Sequence, residues 1–527
     1  RINGAYHPVT MKAIFLFTLL ALNYTLSTAQ YCSNYGGTSF DNIFSIINDP
    51  RNSNLVTVGN SLSTDVDVIP VTYPWNFGED AWLLVLDSFG TILASRCYGG
   101  DQREGFNKII TTANGGYACI GYCEEDGFDV SGTHGASDMW LVQLDSNLQI
   151  LWQHAYGGTM LESGYDLLQL DDGGFILAGQ SFLANGDITA DYGLEDFWIV
   201  CTDSLGNIRW QYSFGGPGYD KPYFIKKWGN RFVAGGYIQI QGAGISGYHA
   251  GDEAWLLVVD ENGNPIWNRC YGGSSSEFLA DGLVMSDGNL LMAGYGGSND
   301  GDLNSNAGSI DGWLMIIDST GAVVQSKSIG GPWGEYFSAI TPLDNGNYAL
   351  TGIIGSQLPG SNPVHGSFDT WLAVVNPNLD LVATMCIGGS EDDDGMAVAS
   401  TPGSVVVAGY TSSNDGDLPG NYGEEDGLIY KISNGLINSV ASIGNSIGFE
   451  QAGNRLSWTF GSAGNGQAVT ELVDLQGRVA ARKAWSVFPS SNRIEWLLPD
   501  GLASGIYLAR ISLQGETRTD RAWVRGY

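Results

Sequence analysis

The chain has 527 residues, of which 75 are Gly, 25 are Tyr and 16 are Trp, and only 15% are charged. This composition favours an all-β protein with many turns over a helical one. Its 56 acidic residues outnumber its 23 basic residues and give a net charge of −33. Such a charge repels phosphate backbones and anionic lipid surfaces, so we expect neither nucleic acid nor a membrane surface as a partner.

The start of the sequence resembles an export signal. Met11-Lys12 precedes the apolar run 13–22, and small residues at 27–29 precede Gln30. We therefore expect residues 11–29 to be a signal peptide that is removed on export to the periplasm, and residues 1–10 to be a gene-model artefact. The apolar run is too short to span a bilayer, so the mature chain is expected to lack an integral membrane segment.

A glycine pair recurs about every 58 residues along the chain. Its first glycines are Gly36, Gly99, Gly157, Gly215, Gly272, Gly330 and Gly388, and a degenerate copy follows at 443–445. Repetition at a fixed period is typical of proteins built from stacked units. The spacing predicts seven units within residues 30–445.

Each unit has the pattern of four short strands. In the unit that follows Gly157, extended segments occupy 165–170, 175–179, 197–202 and 208–213, and a Gly-rich turn joins the first two. Four strands joined by hairpin turns are typical of a propeller blade. We therefore predict an all-β fold: a seven-bladed β-propeller of four-stranded blades. The acidic loops between second and third strands are predicted to surround one mouth of the central channel.

Two segments could close the ring. Residues 31–35 precede the first glycine pair and resemble a fourth strand without its blade. Residues 437–442 could occupy the same place. The sequence leaves both alternatives open.

An acidic residue precedes the third predicted strand of every unit, and in six units a Trp follows two positions later. A carboxylate at a strand start can accept hydrogen bonds from turn N–H groups, and Trp can fill the space between blades. We interpret these acids as structural: Asp80, Asp138, Asp196, Glu253, Asp311, Asp369 and Asp426.

Pairs of closely spaced acids occur upstream in the same loops, most clearly in the two Asn-Asp-Gly-Asp-Leu segments at 299–303 and 414–418. Several hard oxygens near an intervening Gly suit Ca²⁺, whereas Asx-turns explain the same residues without metal. Calcium is thus the candidate cofactor, with these candidate ligands: Asp65, Asp67, Asp126, Asp129, Asp187, Asp300, Asp302, Asp415 and Asp417.

The sequence indicates binding more strongly than catalysis. Its histidines show no Ser/His/Asp or metal-ligand spacing. Near-identical loops suit multivalent contact, so we expect a non-enzymatic binding or adhesion protein that engages a glycan or a protein through the acidic loops. The alternative is a hydrolase or lyase that acts on extracellular polysaccharide. Aromatic residues in the loops are candidate sugar contacts: Tyr73, Trp75, Tyr192, Tyr248 and Tyr422.

The last part of the sequence, residues 446–527, departs from the repeat. It contains an Asp-Leu-x-Gly-Arg motif at Asp474 to Arg478, with Gly477, and a Gly-Ile-Tyr-Leu-x-Arg motif at Gly505 to Arg510, with Tyr507. Together these motifs resemble the type A C-terminal sorting domain of type IX secretion substrates in Bacteroidota. The repeat is similar to propeller-like cargo found ahead of such domains.

This resemblance implies a small C-terminal β-sandwich, the type IX secretion machinery as a partner, and delivery to the outer-membrane surface or the extracellular medium.

Overall fold

The computed structural model describes residues 31–68, 78–303, 305–359, 361–433, 447–452, 455–460, 466–473, 479–487, 493–499, 505–513 and 516–524. Every regular element among them is a β-strand. Within these residues, no helix is long and apolar enough to cross a membrane.

The first strand, β1 (Tyr31–Tyr35), precedes the first complete blade. Blade one contains β2 (Asp41–Asn48), β3 (Leu55–Ser61), β4 (Asp80–Leu86) and β5 (Ile92–Tyr98). Blade two contains β6 (Glu104–Thr111), β7 (Tyr117–Cys123), β8 (Asp138–Leu144) and β9 (Ile150–Tyr156). Blade three contains β10 (Ser163–Gln169), β11 (Phe175–Ser181), β12 (Asp196–Thr202) and β13 (Ile208–Phe214).

Blade four contains β14 (Asp220–Trp228), β15 (Arg231–Ile238), β16 (Glu253–Asp260) and β17 (Pro265–Tyr271). Blade five contains β18 (Glu277–Val284), β19 (Leu290–Gly296), β20 (Asp311–Ile317) and β21 (Val323–Ile329). Blade six contains β22 (Glu335–Pro342), β23 (Tyr348–Ile354), β24 (Asp369–Val375) and β25 (Leu381–Ile387). Blade seven contains β26 (Asp393–Thr401), β27 (Ser404–Thr411) and β28 (Asp426–Ser433).

The blades form a closed ring. Each blade is an antiparallel sheet, in chain order in blades one to six, and its first strand contacts the first strands of both neighbouring blades. The first strands therefore line the central channel, and the fourth strands lie at the outer rim. The predicted seven-bladed β-propeller of four-stranded blades is confirmed.

Strand β1 closes the ring. It pairs antiparallel with β28, with Tyr31 opposite Lys431, and so supplies the fourth strand of blade seven. This is the first of the two alternatives left open by the sequence; the second, 437–442, lies outside the described residues. The Tyr35 hydroxyl donates a hydrogen bond of 2.7 Å to the Gly90 carbonyl in the first complete blade. An equivalent hydrogen bond of 2.9 Å joins blade one to blade two, from the Tyr98 hydroxyl to the Leu148 carbonyl.

The third strands form the centre of each blade's packing. They are buried along almost their whole length because neighbouring blades cover both of their faces. Six of them carry a Trp that is almost completely buried. Its indole N–H bonds a fourth-strand side chain in five blades, for example from Trp82 to Ser95 at 3.0 Å and from Trp198 to Gln211 at 2.7 Å. None of the seven cysteines forms a disulfide.

Two antiparallel sheets follow the propeller. One contains β29 (Ile447–Ala452), β30 (Arg455–Phe460) and β33 (Arg493–Leu497). The other contains β31 (Gly466–Val473), β32 (Val479–Val487), β34 (Gly505–Leu513) and β35 (Glu516–Val524). Contacts between β29 and β35 connect the two sheets, as a small sandwich requires. Gly505 opens β34 and Tyr507 pairs with Ala522, whereas Asp474 and Gly477 lie outside the described residues.

Candidate functional site

The connections between second and third strands lie on the same face of the ring as the glycine pairs, because the strands of each blade alternate in direction. We call this surface the loop face. The glycine pair joins the fourth strand of one blade to the first strand of the next. Both kinds of connection therefore meet at every boundary between blades.

Each glycine pair lies between two buried carboxyl groups. One belongs to the acid that opens the preceding third strand, and the other to the acid at the start of the next first strand. A Cβ atom on the first glycine would lie under 3.0 Å from both carboxyl groups, so only Gly fits there. We call each set a junction pair: Asp426 with Asp41, Asp80 with Glu104, Asp138 with Glu162, Asp196 with Asp220, Glu253 with Glu277, Asp311 with Glu335, and Asp369 with Asp393.

Backbone N–H groups of the loop face bind both members of a junction pair. At all seven boundaries the second glycine donates its N–H to the first-strand acid, for example from Gly37 to Asp41 at 2.7 Å and from Gly273 to Glu277 at 3.0 Å. In six blades the third-strand acid accepts the N–H of the residue four positions earlier, as from Tyr192 to Asp196 at 2.7 Å. The carboxyl groups thus fix both connections.

Sequence reasoning identified the third-strand acids and missed the first-strand acids. The missed residues are Asp41, Glu104, Glu162, Asp220, Glu277, Glu335 and Asp393, all of them 0–1% exposed. The signal was present in the sequence, because an acid stands five positions after the first glycine in every unit.

Burial raises the pKa of many junction acids. Burial, together with the charge of the partner acid in each junction pair, raises the pKa of Glu104, Glu162 and Asp220 to about 7. Burial also raises the pKa of Asp196, Asp393 and Asp426 to about 6. Two carboxylates that share one dry site do not readily ionise together. The junction pairs that contain Glu104, Glu162 and Asp220 are therefore expected to retain protons close to neutral pH.

The candidate calcium ligands lie in loops that fold back onto a glycine pair. Asp65, Asp300 and Asp415 accept the N–H of the residue that follows a glycine pair, for example from Ser274 to Asp300 at 2.8 Å. Asp126 accepts instead from Thr133 in its own loop. A second set donates its backbone N–H to the first glycine's carbonyl, at 2.8 to 3.1 Å: Asp67, Asp129, Asp187, Asp302 and Asp417.

In three of these contacts the donor and the acceptor lie 25–27 residues apart, so the contacts tie separate connections together and are not the local Asx-turns that the sequence suggested. The described residues contain no group of three or more His, Cys, Asp or Glu side chains that could hold a metal ion. Calcium binding by the loop acids stays a prediction.

Ion pairs join neighbouring first strands along the channel wall. Lys226 of β14 contacts Asp166 of β10 at 2.9 Å and Asp281 of β18 at 3.1 Å, and so joins blades three, four and five. At the end of the channel opposite the loop face, a cavity of about 450 Å³ is lined by Ile46, Ile110 and other residues at the ends of first strands.

Exposed apolar side chains are numerous on the loop face. They belong to the glycine-pair connections and to the loops between second and third strands: Phe40, Val66, Phe128, Met160, Leu161, Leu183, Tyr192, Leu194, Tyr219, Ile240, Ile310, Trp333 and Tyr422. Of the aromatic candidates from the sequence, Tyr192 and Tyr422 are exposed, whereas the Tyr248 hydroxyl bonds the Gln239 and Gly251 carbonyls. Tyr73 and Trp75 lie outside the described residues.

No family model matches the sequence, and no curated protein matches it significantly. Among solved structures, the WD40 β-propeller domain of Doa1 is similar, with 11% identity and a TM-score of 0.41, over 76% of this chain and 96% of that chain. Puromycin hydrolase has 12% identity and a TM-score of 0.41, over 82% of this chain and 60% of that chain. A putative 6-phosphogluconolactonase from Bacteroides fragilis has 11% identity and a TM-score of 0.33, over 73% of this chain and 99% of that chain. The chain's own strand topology defines it as a seven-bladed β-propeller protein, a class that hosts many functions.

The raised pKa values predict a propeller that is more stable in mildly acidic than in mildly alkaline solution. An acid whose pKa is higher in the folded chain stabilises the fold while protonated, and this contribution is lost as the pH rises through the folded pKa. Because the raised values lie at about 6 and about 7, we expect the melting temperature to fall by several degrees between about pH 5 and about pH 8.

Glu104→Gln removes one titrating group and keeps an acceptor for the Gly100 N–H. This variant should melt above the wild type at the higher pH and show a smaller fall with pH. Glu261→Gln, at an exposed turn of blade four, is the matched control. Parallel pH profiles for Glu104→Gln and the wild type would contradict the assignment.

Proposed function

We propose that the protein is a secreted or cell-surface binding module, without enzymatic activity, that engages a protein partner through its loop face. The observation that carries this proposal is the concentration of exposed apolar side chains on that face. Soluble proteins rarely expose large contiguous apolar surfaces, and those that are rimmed by polar residues commonly mark interaction sites.

Several of these side chains come from neighbouring loops that are hydrogen-bonded to each other. The Leu194 N–H bonds the Gly218 carbonyl at 3.0 Å, and the Gln239 N–H bonds the Tyr219 carbonyl at 3.1 Å, next to Ile240. We call the surrounding set the apolar patch: Met160, Leu161, Leu183, Leu194, Tyr219 and Ile240, each 40–48% exposed. It extends from the connection between blades two and three to the loop between the second and third strands of blade four.

The chemistry of the apolar patch indicates the kind of partner. Leu, Ile and Met side chains contact protein surfaces well and offer little to a sugar hydroxyl. Exposed carboxylates adjoin the patch, among them Asp191, and the whole chain has a net charge of −33. A neutral or basic protein surface is therefore the complementary partner.

The buried acids contribute to architecture in this proposal. They lie beneath the glycine pairs, where a substrate could reach them only by displacing the connections that they hold. Raised pKa values alone would suit a general acid, but access to substrate is a further requirement. Binding through the exposed loop side chains needs no such displacement.

Substitution of the apolar patch should weaken partner binding. The double variant Leu194→Ala/Ile240→Ala removes two exposed side chains, and we expect it to raise the Kd of the partner by about tenfold or more. The partner would first be identified by affinity capture on the full chain and mass spectrometry, and then purified for calorimetry.

Leu205→Ala is the matched control, because Leu205 is exposed in a turn on the opposite face of blade three. Equal affinity of the wild type and the double variant would contradict the loop-face proposal. Binding of a glycan in place of a protein at the apolar patch would contradict the partner class.

Export by type IX secretion is the second part of the proposal. It is supported by the signal-like residues 11–29 and by the sorting-type motifs around Gly477 and Gly505. The full chain, expressed in type IX-competent cells, should reach the surface or the medium, as measured by protease accessibility and immunoblotting. A chain that lacks residues 446–527 should stay in the periplasm. The full chain should also stay there in cells without a functional type IX system. Equal export in all three cases would contradict this route.

A further inference from the structure

The mouth of the channel on the loop face is asymmetric, although the blades repeat. In blades three to six, aromatic rings follow each other along the first and second strands. Neighbouring ring centroids lie 4.8 to 6.2 Å apart. We call this set the aromatic wall: Tyr165, Tyr223, Tyr237, Phe278, Tyr295 and Tyr336.

The aromatic wall passes from blade to blade at the inner edge of the ring. Tyr237 of β15 contacts Phe278 of β18 at 4.8 Å, and Tyr295 of β19 contacts Tyr336 of β22 at 5.3 Å. Tyr237 and Tyr295 each stand one residue before the end of a second strand, next to the loop face. The rings are partly exposed, so the wall presents aromatic surface at the channel mouth.

Hydroxyl groups of the aromatic wall are available to a ligand. The hydroxyls of Tyr223, Tyr237, Tyr295 and Tyr336 have no hydrogen-bond partner among the described residues. None of these four hydroxyl oxygens is completely buried. Burial raises the pKa of Tyr295 to about 12, so its hydroxyl stays protonated and can donate at physiological pH.

The opposite half of the mouth is polar. Blade seven contains the partly exposed Asp394 and Glu425, and blade one contains the partly exposed Glu79. The Asn60 amide donates to Glu79 at 2.5 Å, and the Tyr122 hydroxyl donates to the same carboxylate at 3.0 Å. Asn60 is 8% exposed, and its amide oxygen has no partner in the described structure. Acceptors and donors thus face the aromatic wall across the ring.

An aromatic surface opposite carboxylates and amides matches the chemistry of a sugar. A pyranose ring has an apolar C–H face that packs on aromatic rings and hydroxyls at its edge that need hydrogen-bond partners. The net charge of −33 disfavours an anionic sugar. We propose that the channel mouth on the loop face is a binding site for a neutral saccharide, which packs on the aromatic wall and bonds the tyrosine hydroxyls and the polar residues opposite. The site shares no residue with the apolar patch, so it does not depend on the proposed protein partner.

Calorimetry on the full chain tests this site with four neutral probes: cellohexaose, laminarihexaose, mannohexaose and xylohexaose. We expect at least one to bind the wild type at submillimolar concentration. Tyr237→Phe/Tyr295→Phe keeps both rings and removes two hydroxyls, and should weaken binding by about tenfold. Phe278→Leu removes one ring and should also weaken it.

Tyr212→Phe is the matched control, because Tyr212 is exposed on the outermost strand of blade three. It should bind like the wild type, and so should Leu194→Ala/Ile240→Ala, which separates this site from the apolar patch. The melting temperature of each variant checks that the ring is intact. Failure of all four probes to bind the wild type at millimolar concentration would overturn the proposal, as would unchanged affinity in the Tyr237→Phe/Tyr295→Phe and Phe278→Leu variants.

Discussion

The propeller depends on a contact that is repeated at all seven boundaries between blades, where a glycine pair passes between two buried carboxyl groups. The carboxyl groups accept N–H groups from the glycine pair and from the neighbouring loop, which would otherwise be buried without partners. The first glycine needs to lack a side chain because a Cβ atom there would lie under 3.0 Å from both carboxyl groups. Acid and glycine therefore require each other, and the loop face is held in one arrangement.

In this arrangement the residues that hold the blades together differ from those that are exposed to a partner. Junction acids are almost completely buried, whereas the side chains at the loop tips and at the channel mouth differ from blade to blade. The buried junctions thus repeat regularly, whereas the exposed surface above them does not. The apolar patch of blades two to four and the aromatic wall of blades three to six are both products of that irregularity.

The period of the glycine pairs was sufficient to predict seven four-stranded blades, because turns and apolar strands recur with the glycines. Closure by Tyr31–Tyr35 could not be chosen from the sequence, since both candidate segments look like outer strands and only pairing with β28 distinguishes them. The seven first-strand acids had a clear signal, because each stands five positions after the first glycine of a pair. Their role, however, depends on a contact between two blades. The aromatic wall had a partial sequence signal, because Tyr237 and Tyr295 each follow a second-strand Gly. The contacts between its rings, however, form only in the closed ring.

Infrared spectroscopy of the folded chain tests most directly whether the junction pairs hold protons. A protonated carboxyl group has a C=O stretch that is distinct from that of a carboxylate. The pKa values of about 7 for Glu104, Glu162 and Asp220 predict a protonated-carboxyl band at about pH 6.5 that disappears above about pH 8 and on unfolding. The band should be weaker in Glu104→Gln. Absence of any such band above about pH 5 would contradict the account, because the junction pairs would then be fully ionised in the folded protein.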